Sequence, residues 1–390
     1  MNTVAIIPAR GGSKGIPRKN MRFVAGESLV GRAVNTARTA ESVDGVFVST
    51  DDSEIATESR AHGAEVIERP RELSGDEASS ESVLLHGLRH LRDEESCVPD
   101  ELAFVQCTSP LLLPEDIDGA VGKLRKNGAD VVFSAAPFHG FLWRFSGETL
   151  KGINHDASRR MRRQDRETQY VETGAVYVIQ TDGFIEHEHR FFGEVIPYEV
   201  PPEHSIDIDR PIDLDIAEKL LRKRKRNSQL EQLPDRPAAL VLDFDGVFTD
   251  NKVHVQQGGR EMVVCHRGDG WGLARLKEKG LPVWVLSTEK NQVVQARCEK
   301  LDLPCVHGTE DKEAILRGWL NEEEIDAQDI VFLGNDVNDV HCLRLAGCGA
   351  VVEDAHPDVF SAANLVLSTS GGEGAVREIT DLIQEKLSIS

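Results

Sequence analysis

The chain has 390 residues, a formal net charge of −21 at pH 7, and 40% hydrophobic and 28% charged residues. This length exceeds one ordinary core and suits two domains, the composition is that of a globular protein, and the acidic balance argues against a nucleic-acid backbone or an anionic membrane as a general partner. No run approaches the roughly 18 apolar residues of a membrane span, and "MNTVAIIPAR" lacks the basic region of a signal peptide, so a cytoplasmic location is expected.

In chain order, the first half alternates apolar runs with amphipathic stretches: "TVAIIPA", "SLVGRAVNTARTA", "DGVFVST", "SEIATESRAHG", "AEVIER", "SVLLHGLRHLRDEE" and "ELAFVQCTSP". Short buried runs between helical segments predict βα units on a mostly parallel, doubly wound sheet. Ligands of such sheets bind at the carboxyl ends of the strands. Those ends carry Arg10, Asp51, Asp52, Arg69 and Gln106. Residues 216–237, "IAEKLLRKRKRNSQLEQLPDRP", begin as a helix, turn polar and end on prolines. That change predicts domains at 1–225 and 238–390 with a linker at 226–237, the "RKRKR" run being a solvated helix end. After it, "AALVLDFDGVFTD", "GWGLARLKEKG", "PVWVLSTEK", "KEAILRGWL" and "DIVFLGNDVND" resume the βα alternation, and "KVHVQQGGREMVVCH" predicts an inserted β-hairpin. The fold class is therefore two doubly wound α/β domains. The seven cysteines are scattered without metal-ligand spacing and predict neither a disulfide framework nor a zinc site.

The first strand runs into "IPARGGSKGIPRKN", which places Gly11, Gly12 and Gly15 among the cations Arg10, Lys14, Arg18 and Lys19. It is neither a Walker loop nor a Rossmann fingerprint. Glycines that let backbone N–H groups approach, with several cations, suit a chain of phosphates. Far along, "SIDID" in extended form puts Asp207 and Asp209 on one face. Two hard oxygen ligands suit Mg²⁺ shared with a phosphate, and the two features together suggest nucleotidyl transfer.

These stretches, with "VSTDD", "ERPRELSGDEASS", "FVQCTSPLLLPEDI", "RRQDRETQYVETGAVYV", "RFFG" and "SIDIDRPIDLDIAE", resemble the N-acylneuraminate cytidylyltransferases over roughly residues 3–220. The resemblance implies that CTP and a sialic-type nonulosonic acid give a CMP-sugar and pyrophosphate with Mg²⁺. It implies Arg10, Ser13, Lys14, Lys19 and Asn20 on the triphosphate, with Lys19 opposing charge on the leaving pyrophosphate, and Arg69, Ser80 and Gln106 on nucleotide or sugar. Arg163, Gln164, Phe191 and Phe192 would line the sugar pocket, and Asp207 and Asp209 would hold the metal, Asp209 also accepting the hydroxyl proton. Leu142, where relatives carry a basic residue, and Thr173, where they often carry Asn, depart from the pattern and leave the acyl sugar open.

The second half ends its first apolar strand in Asp243 and Asp245, again i and i+2, before Gly246; one carboxylate can attack while its neighbour handles protons. With Ser287 and Thr288 in "VLSTEK", Lys312, and Asp336 and Asp339 in "GNDVND", this region resembles the capless haloacid dehalogenase phosphatases of the Kdo-8-phosphate phosphatase type over about residues 238–388. The resemblance implies Asp243 as nucleophile and Asp245 as acid/base, with Ser287 or Thr288 and Lys312 on the phosphoryl group. Asp243, Asp245 and Asp336 would surround Mg²⁺ with Asp339 in support. It also implies a homotetramer in which the hairpin at 252–265 covers neighbouring sites. Vertebrate relatives of the first half typically lack the first aspartate, which is present here. The leading expectation is thus two consecutive steps, removal of phosphate from a nonulosonic acid 9-phosphate and activation of the freed sugar with CTP. The alternatives are a transferase whose second domain is a scaffold, and a phosphatase with a regulatory nucleotide-binding module.

Overall fold

The structure, a computed structural model, describes residues 2–13, 15–75, 78–94, 98–159 and 161–389. They fold as two units, Met1–Lys223 and Arg224–Ser390. No described helix is long and apolar enough to cross a membrane.

The first unit is built on β1 (Thr3–Pro8), β2 (Gly45–Thr50), β3 (Glu65–Glu68), β4 (Glu101–Val105), β5 (Val131–Phe138), β6 (Gln169–Gln180) and β7 (Val195–Glu199), in the order β7-β5-β6-β4-β1-β2-β3. Alternate residues of β1 enter two cores: Ala5 and Ile7 pack on one side, Val4 and Ile6 on the other. A strand covered on both faces reads as an unbroken apolar run, which is why "TVAIIP" shows no polar alternation. Around the sheet stand α1 (Leu29–Thr39), α2 (Ser53–Ala61), α3 (Ser80–Asp93), α4 (Pro114–Asn127) and α5 (Thr181–His187). Their starts are set locally. Asp52 accepts from Glu54 N and Ile55 N at the head of α2, and Ser79 accepts from Ser82 N at the head of α3, meeting amide donors that no helical carbonyl reaches. The sheet is more mixed than expected, because β6 runs antiparallel to both β4 and β5. Its register breaks between Glu172 and Tyr177, around Gly174 at φ +76°. A ribbon, Trp143–Ser146 with Thr149–Gly152, stands apart from this sheet.

The second unit has a parallel sheet of β8 (Ala239–Leu242), β9 (Val283–Leu286), β10 (Cys305–Val306), β11 (Ile330–Gly334), β12 (Cys348–Val351) and β13 (Leu365–Val366), in the order β10-β9-β8-β11-β12-β13. The expected hairpin pairs His254–Val255 with Glu261–Met262. The helix α6 (Pro211–Glu231) continues through residues 226–231, and Leu230 and Leu233 belong to the core of this unit. Arg226 meets Glu385 at 2.8 Å on α7 (Ala375–Ile389).

Candidate functional sites

In the first unit the loop after β1 is drawn down by Asp51, whose Oδ1 accepts from Gly11 N at 3.0 Å, and by Asn20, whose Nδ2 donates to Arg10 O at 3.0 Å. The three glycines have different grounds. A Cβ on Gly11 would lie 2.6 Å from Oδ2 of Asp52, a side chain held in place because its Oδ1 caps α2. One on Gly15 would lie 2.8 Å from the carbonyl oxygen of Asp209, whereas Gly12 faces open space. Gly15 is therefore the point where the loop touches the acidic segment.

That segment is pinned from several directions. Ile208 is fully buried and donates its N–H to Thr108 O at 2.8 Å, leaving Asp207 and Asp209 on the opposite, outward side. Lys19 Nζ donates to Ile208 O at 2.6 Å and lies 3.3 Å from Asp209 Oδ1. Asp213 Oδ2 accepts from Arg210 N at 2.7 Å, and His204 pairs with Asp116 at 2.8 Å just upstream. Asp207 keeps an exposed edge, yet desolvation by the surrounding protein, then the nearby Asp209 charge, raises its carboxyl; the Thr108 hydroxyl opposes this. Two carboxylates that repel in this way are a hard-oxygen donor set of the kind Mg²⁺ accepts.

A cleft of about 300 Å³ opens above the loop. Among the expected residues, Arg10, Ser13, Lys19, Asn20, Arg69, Ser80 and Gln106 line it. Arg69 is 7% exposed, with Nη2 and Nε donating to Ser49 O and Ser49 Oγ. Burial, with a smaller push from Arg10 and against the pull of Asp51, lowers its guanidinium to about 10. A cation under that pressure gains from an incoming anion. Lys14 lies outside the described residues. Arg18 does not line the cleft; its side chain pairs with Glu54 on the surface.

Four residues expected at the sugar do not line this cleft. Arg163 and Gln164 are exposed in the turn Arg163–Asp165. Phe191 packs edge-on against Phe133 and Tyr177, and Phe192 stacks on His187. Thr173 is buried, its hydroxyl 2.6 Å from Ser134 Oγ, so its departure from the family pattern concerns the sheet bulge. Thr108, Asp116, His204 and Asp213 were not singled out from sequence. An Asp or His that holds a backbone segment has no spacing signature of its own.

In the second unit, β8 leads directly into Asp243, which is 4% exposed, and Lys312 lies between it and Asp339 at 2.8 and 2.7 Å. Asp339 is fully buried and also accepts from Asn335 N at 2.9 Å, so it faces Lys312 and its own loop. Two glycines make room: a Cβ on Gly334 would lie 2.5 Å from Asp339 Oδ2, and one on Gly246, at φ +73°, would lie 1.9 Å from Asn335 Nδ2. Burial and then the Asp339 charge push the Asp243 carboxyl up, while Lys312 opposes them. Desolvation, then Glu289 and Glu261, raise Asp245 against the pull of Lys312.

A cavity of about 440 Å³ gathers Asp243, Asp245, Ser287, Thr288 and Asp336. Lys252, Val253, Glu261 and Val263 of the hairpin region share this lining, as does Glu289. Ser287 is buried, with Oγ accepting from Glu289 N, while Thr288 Oγ1 accepts from Asn338. Asp243, Asp245 and Asp336 share this lining, but among the described residues no three Asp, Glu, His or Cys side chains draw together into a metal-holding group.

A family profile described as cytidylyltransferase matches residues 4–235, and one described as haloacid dehalogenase-like hydrolase matches residues 291–379. N-acylneuraminate cytidylyltransferase A of Danio rerio is 33% identical over 97% of this chain and 88% of its own length. The N-acylneuraminate cytidylyltransferase of Oncorhynchus mykiss is likewise 33% identical, over 97% of this chain and 88% of its own length. Among solved structures, a 3-deoxy-D-manno-octulosonate 8-phosphate phosphatase from Moraxella catarrhalis, in complex with magnesium, phosphate and Kdo, is 25% identical over 41% of this chain and 92% of its own, with a TM-score of 0.39.

Proposed function

Because the chain belongs to the N-acylneuraminate cytidylyltransferase family and carries a haloacid dehalogenase-like domain, we propose that it performs two consecutive reactions, dephosphorylation of a nonulosonic acid 9-phosphate and transfer of CMP from CTP to the freed acid. The observation that supports the transfer best is the convergence of Arg10, Ser13, Lys19, Asn20, Arg69, Ser80 and Gln106 on one cleft, with Lys19 reaching the acidic segment.

In the transfer, the anomeric hydroxyl oxygen bonds to the α-phosphorus, the bond to the β-phosphate breaks, and pyrophosphate leaves. Such a step needs alignment and charge neutralisation more than covalent catalysis. Arg10, Lys19 and Arg69 supply positive charge to the phosphates. Asp209 takes the hydroxyl proton. Mg²⁺, held by Asp207 and Asp209, would withdraw charge from the phosphate oxygens when bound.

In the second unit, the hydrogen bonds from Lys312 and Phe244 N–H reach Asp243 Oδ1, so Oδ2 is the oxygen assigned to attack on phosphorus. The ester oxygen leaves with a proton from Asp245, and water then cleaves the aspartyl phosphate with Asp245 as base. Desolvation raises the Asp245 carboxyl, the direction that favours an acid able to give up a proton to the leaving group. Asp243, Asp245 and Asp336 would hold Mg²⁺, and Ser287 or Thr288 the phosphoryl oxygens. Exposed Val253, Val255, Met262 and Val264 around the hairpin favour association into a homotetramer, which a molar mass in solution tests.

The deciding experiment pairs two assays on the full chain: pyrophosphate release from CTP and Mg²⁺ with a panel of free nonulosonic acids, and phosphate release from their 9-phosphates. Both signals from one sugar are expected. Pyrophosphate with no phosphate from any 9-phosphate would leave the second unit a scaffold. Phosphate alone would overturn the transferase reading for that panel.

A further inference from the structure

Arg190 is used by neither reaction, yet it is nearly enclosed. Its Nε lies 2.7 Å from Glu81 Oε1, with side-chain exposures of 17% and 15%. Its guanidinium carbon stands 4.9 Å from the Tyr177 ring centre and 5.2 Å from that of Phe104, and those two rings stack at 5.3 Å. A buried ion pair adds little net stability, since desolvating both charges offsets their attraction. What it supplies here is position and charge.

Glu81 sits in the first turn of α3, where Ser79, Ser80 and Val83 line the cleft together with Phe104. The head of a helix presents unpaired N–H groups and a positive dipole end, which favour an anion. A free carboxylate next to Ser80 would cancel that field and repel phosphates. Arg190 meets Glu81 there, its guanidinium resting against the stacked Phe104 and Tyr177 rings.

We propose that Arg190 is a positioning residue of cytidylyl transfer: it neutralises and pins Glu81, so that the first turn of α3 offers the nucleotide a rigid wall without negative charge. This rests on the reading of the cleft as the CTP site. Arg190→Met should weaken CTP binding about tenfold, the scale of one partly screened carboxylate beside a phosphate, and added salt should shrink the defect. Glu81→Gln in the same chain should restore most of the affinity, and Arg190→Lys, which keeps the charge, should lose far less than Arg190→Met. A merely structural pair predicts that Glu81→Gln restores the melting temperature of Arg190→Met, while the CTP affinity of the folded variants stays at the wild-type level and shows no added salt dependence.

The test is calorimetric titration of CTP into the full chain and these variants with Mg²⁺, beside a melting temperature for each and Lys19→Met as control. Wild type that binds CTP, weakened by Lys19→Met but not by Arg190→Met, overturns this inference and leaves the cleft reading standing. Wild type that binds no CTP, or binds it as tightly without Lys19, overturns the cleft reading itself. If Arg190→Met fails to fold, Glu81→Gln alone decides: CTP binding at least as tight as wild type supports the proposal, and a tenfold loss overturns it.

Discussion

Replacing Lys312 by Met removes the only positive partner that the described structure places between two buried carboxylates, Asp243 at 2.8 Å and Asp339 at 2.7 Å. At those distances and an effective dielectric of about 20, each contact is worth about 6 kcal/mol of attraction before the cost of burying the lysine is counted. The net loss on deleting one partner of such a buried set is about 3–5 kcal/mol, because the remaining charges are left uncompensated. The Asp243 carboxyl then loses the pull that opposes its burial and prefers the protonated form, and a protonated Asp243 is a poor nucleophile. Phosphate release should therefore fall by about 100-fold or more, while pyrophosphate release is retained. The sign with pH is definite. An acid whose folded pKa is raised destabilises the folded state above its unfolded pKa, so Lys312→Met should regain stability as pH falls from 8 toward the ordinary carboxylate range. Urea unfolding at several pH values, followed by tryptophan fluorescence from Trp271, Trp284 and Trp319 of this unit, measures this. Adding Asp339→Asn should return part of the lost stability, since it removes one stranded charge. Wild-type stability for Lys312→Met at pH 8, with no benefit from Asp339→Asn, would refute the buried triad.

Asp243→Asn should abolish phosphate release and leave pyrophosphate release unchanged, because Lys312 keeps Asp339 as a partner; equal loss of both activities would contradict separate sites. Gly15→Ala should lower pyrophosphate release by at least about tenfold, since its Cβ meets the Asp209 carbonyl oxygen and forces the acidic segment away, whereas Gly12→Ala should leave the melting temperature unchanged. Asp269 is fully buried, and burial raises its carboxyl to about 6, against the pull of its bond from Arg377 N and of His266. Stability of the second unit should therefore rise as pH falls from 8 through 6 toward 4, by up to about 3 kcal/mol. Asp269→Asn should flatten that slope in urea unfolding, and an unchanged slope would refute the assignment.

Much of this architecture was legible in the chain because its signals are local. Apolar runs broken by capped amphipathic stretches specify βα units, and an apolar strand that runs into Asp243, Asp245 and Gly246 presents its paired carboxylates within four residues. The same holds for the glycine and cation cluster after β1, since the residues that line the cleft from that loop are neighbours in sequence. Antiparallel β6 was not legible, because strand direction depends on which partner the chain meets and leaves no mark on composition.

The most consequential contacts were decided by the tertiary structure alone. Lys19 meets Asp209 across 190 positions of chain, Arg190 meets Glu81 across 109, and Lys312 meets Asp339 across 27. Phe191 and Phe192 are apolar residues in a loop, and sequence alone could not tell a sugar pocket from packing on Tyr177 and His187. What the chain determines by itself is which groups each short segment can offer: paired carboxylates, capped helix heads, glycines where backbone must approach. Which of those groups face one another is a property of packing, because charges and rings separated by a hundred residues acquire an energy only when the core between them has closed.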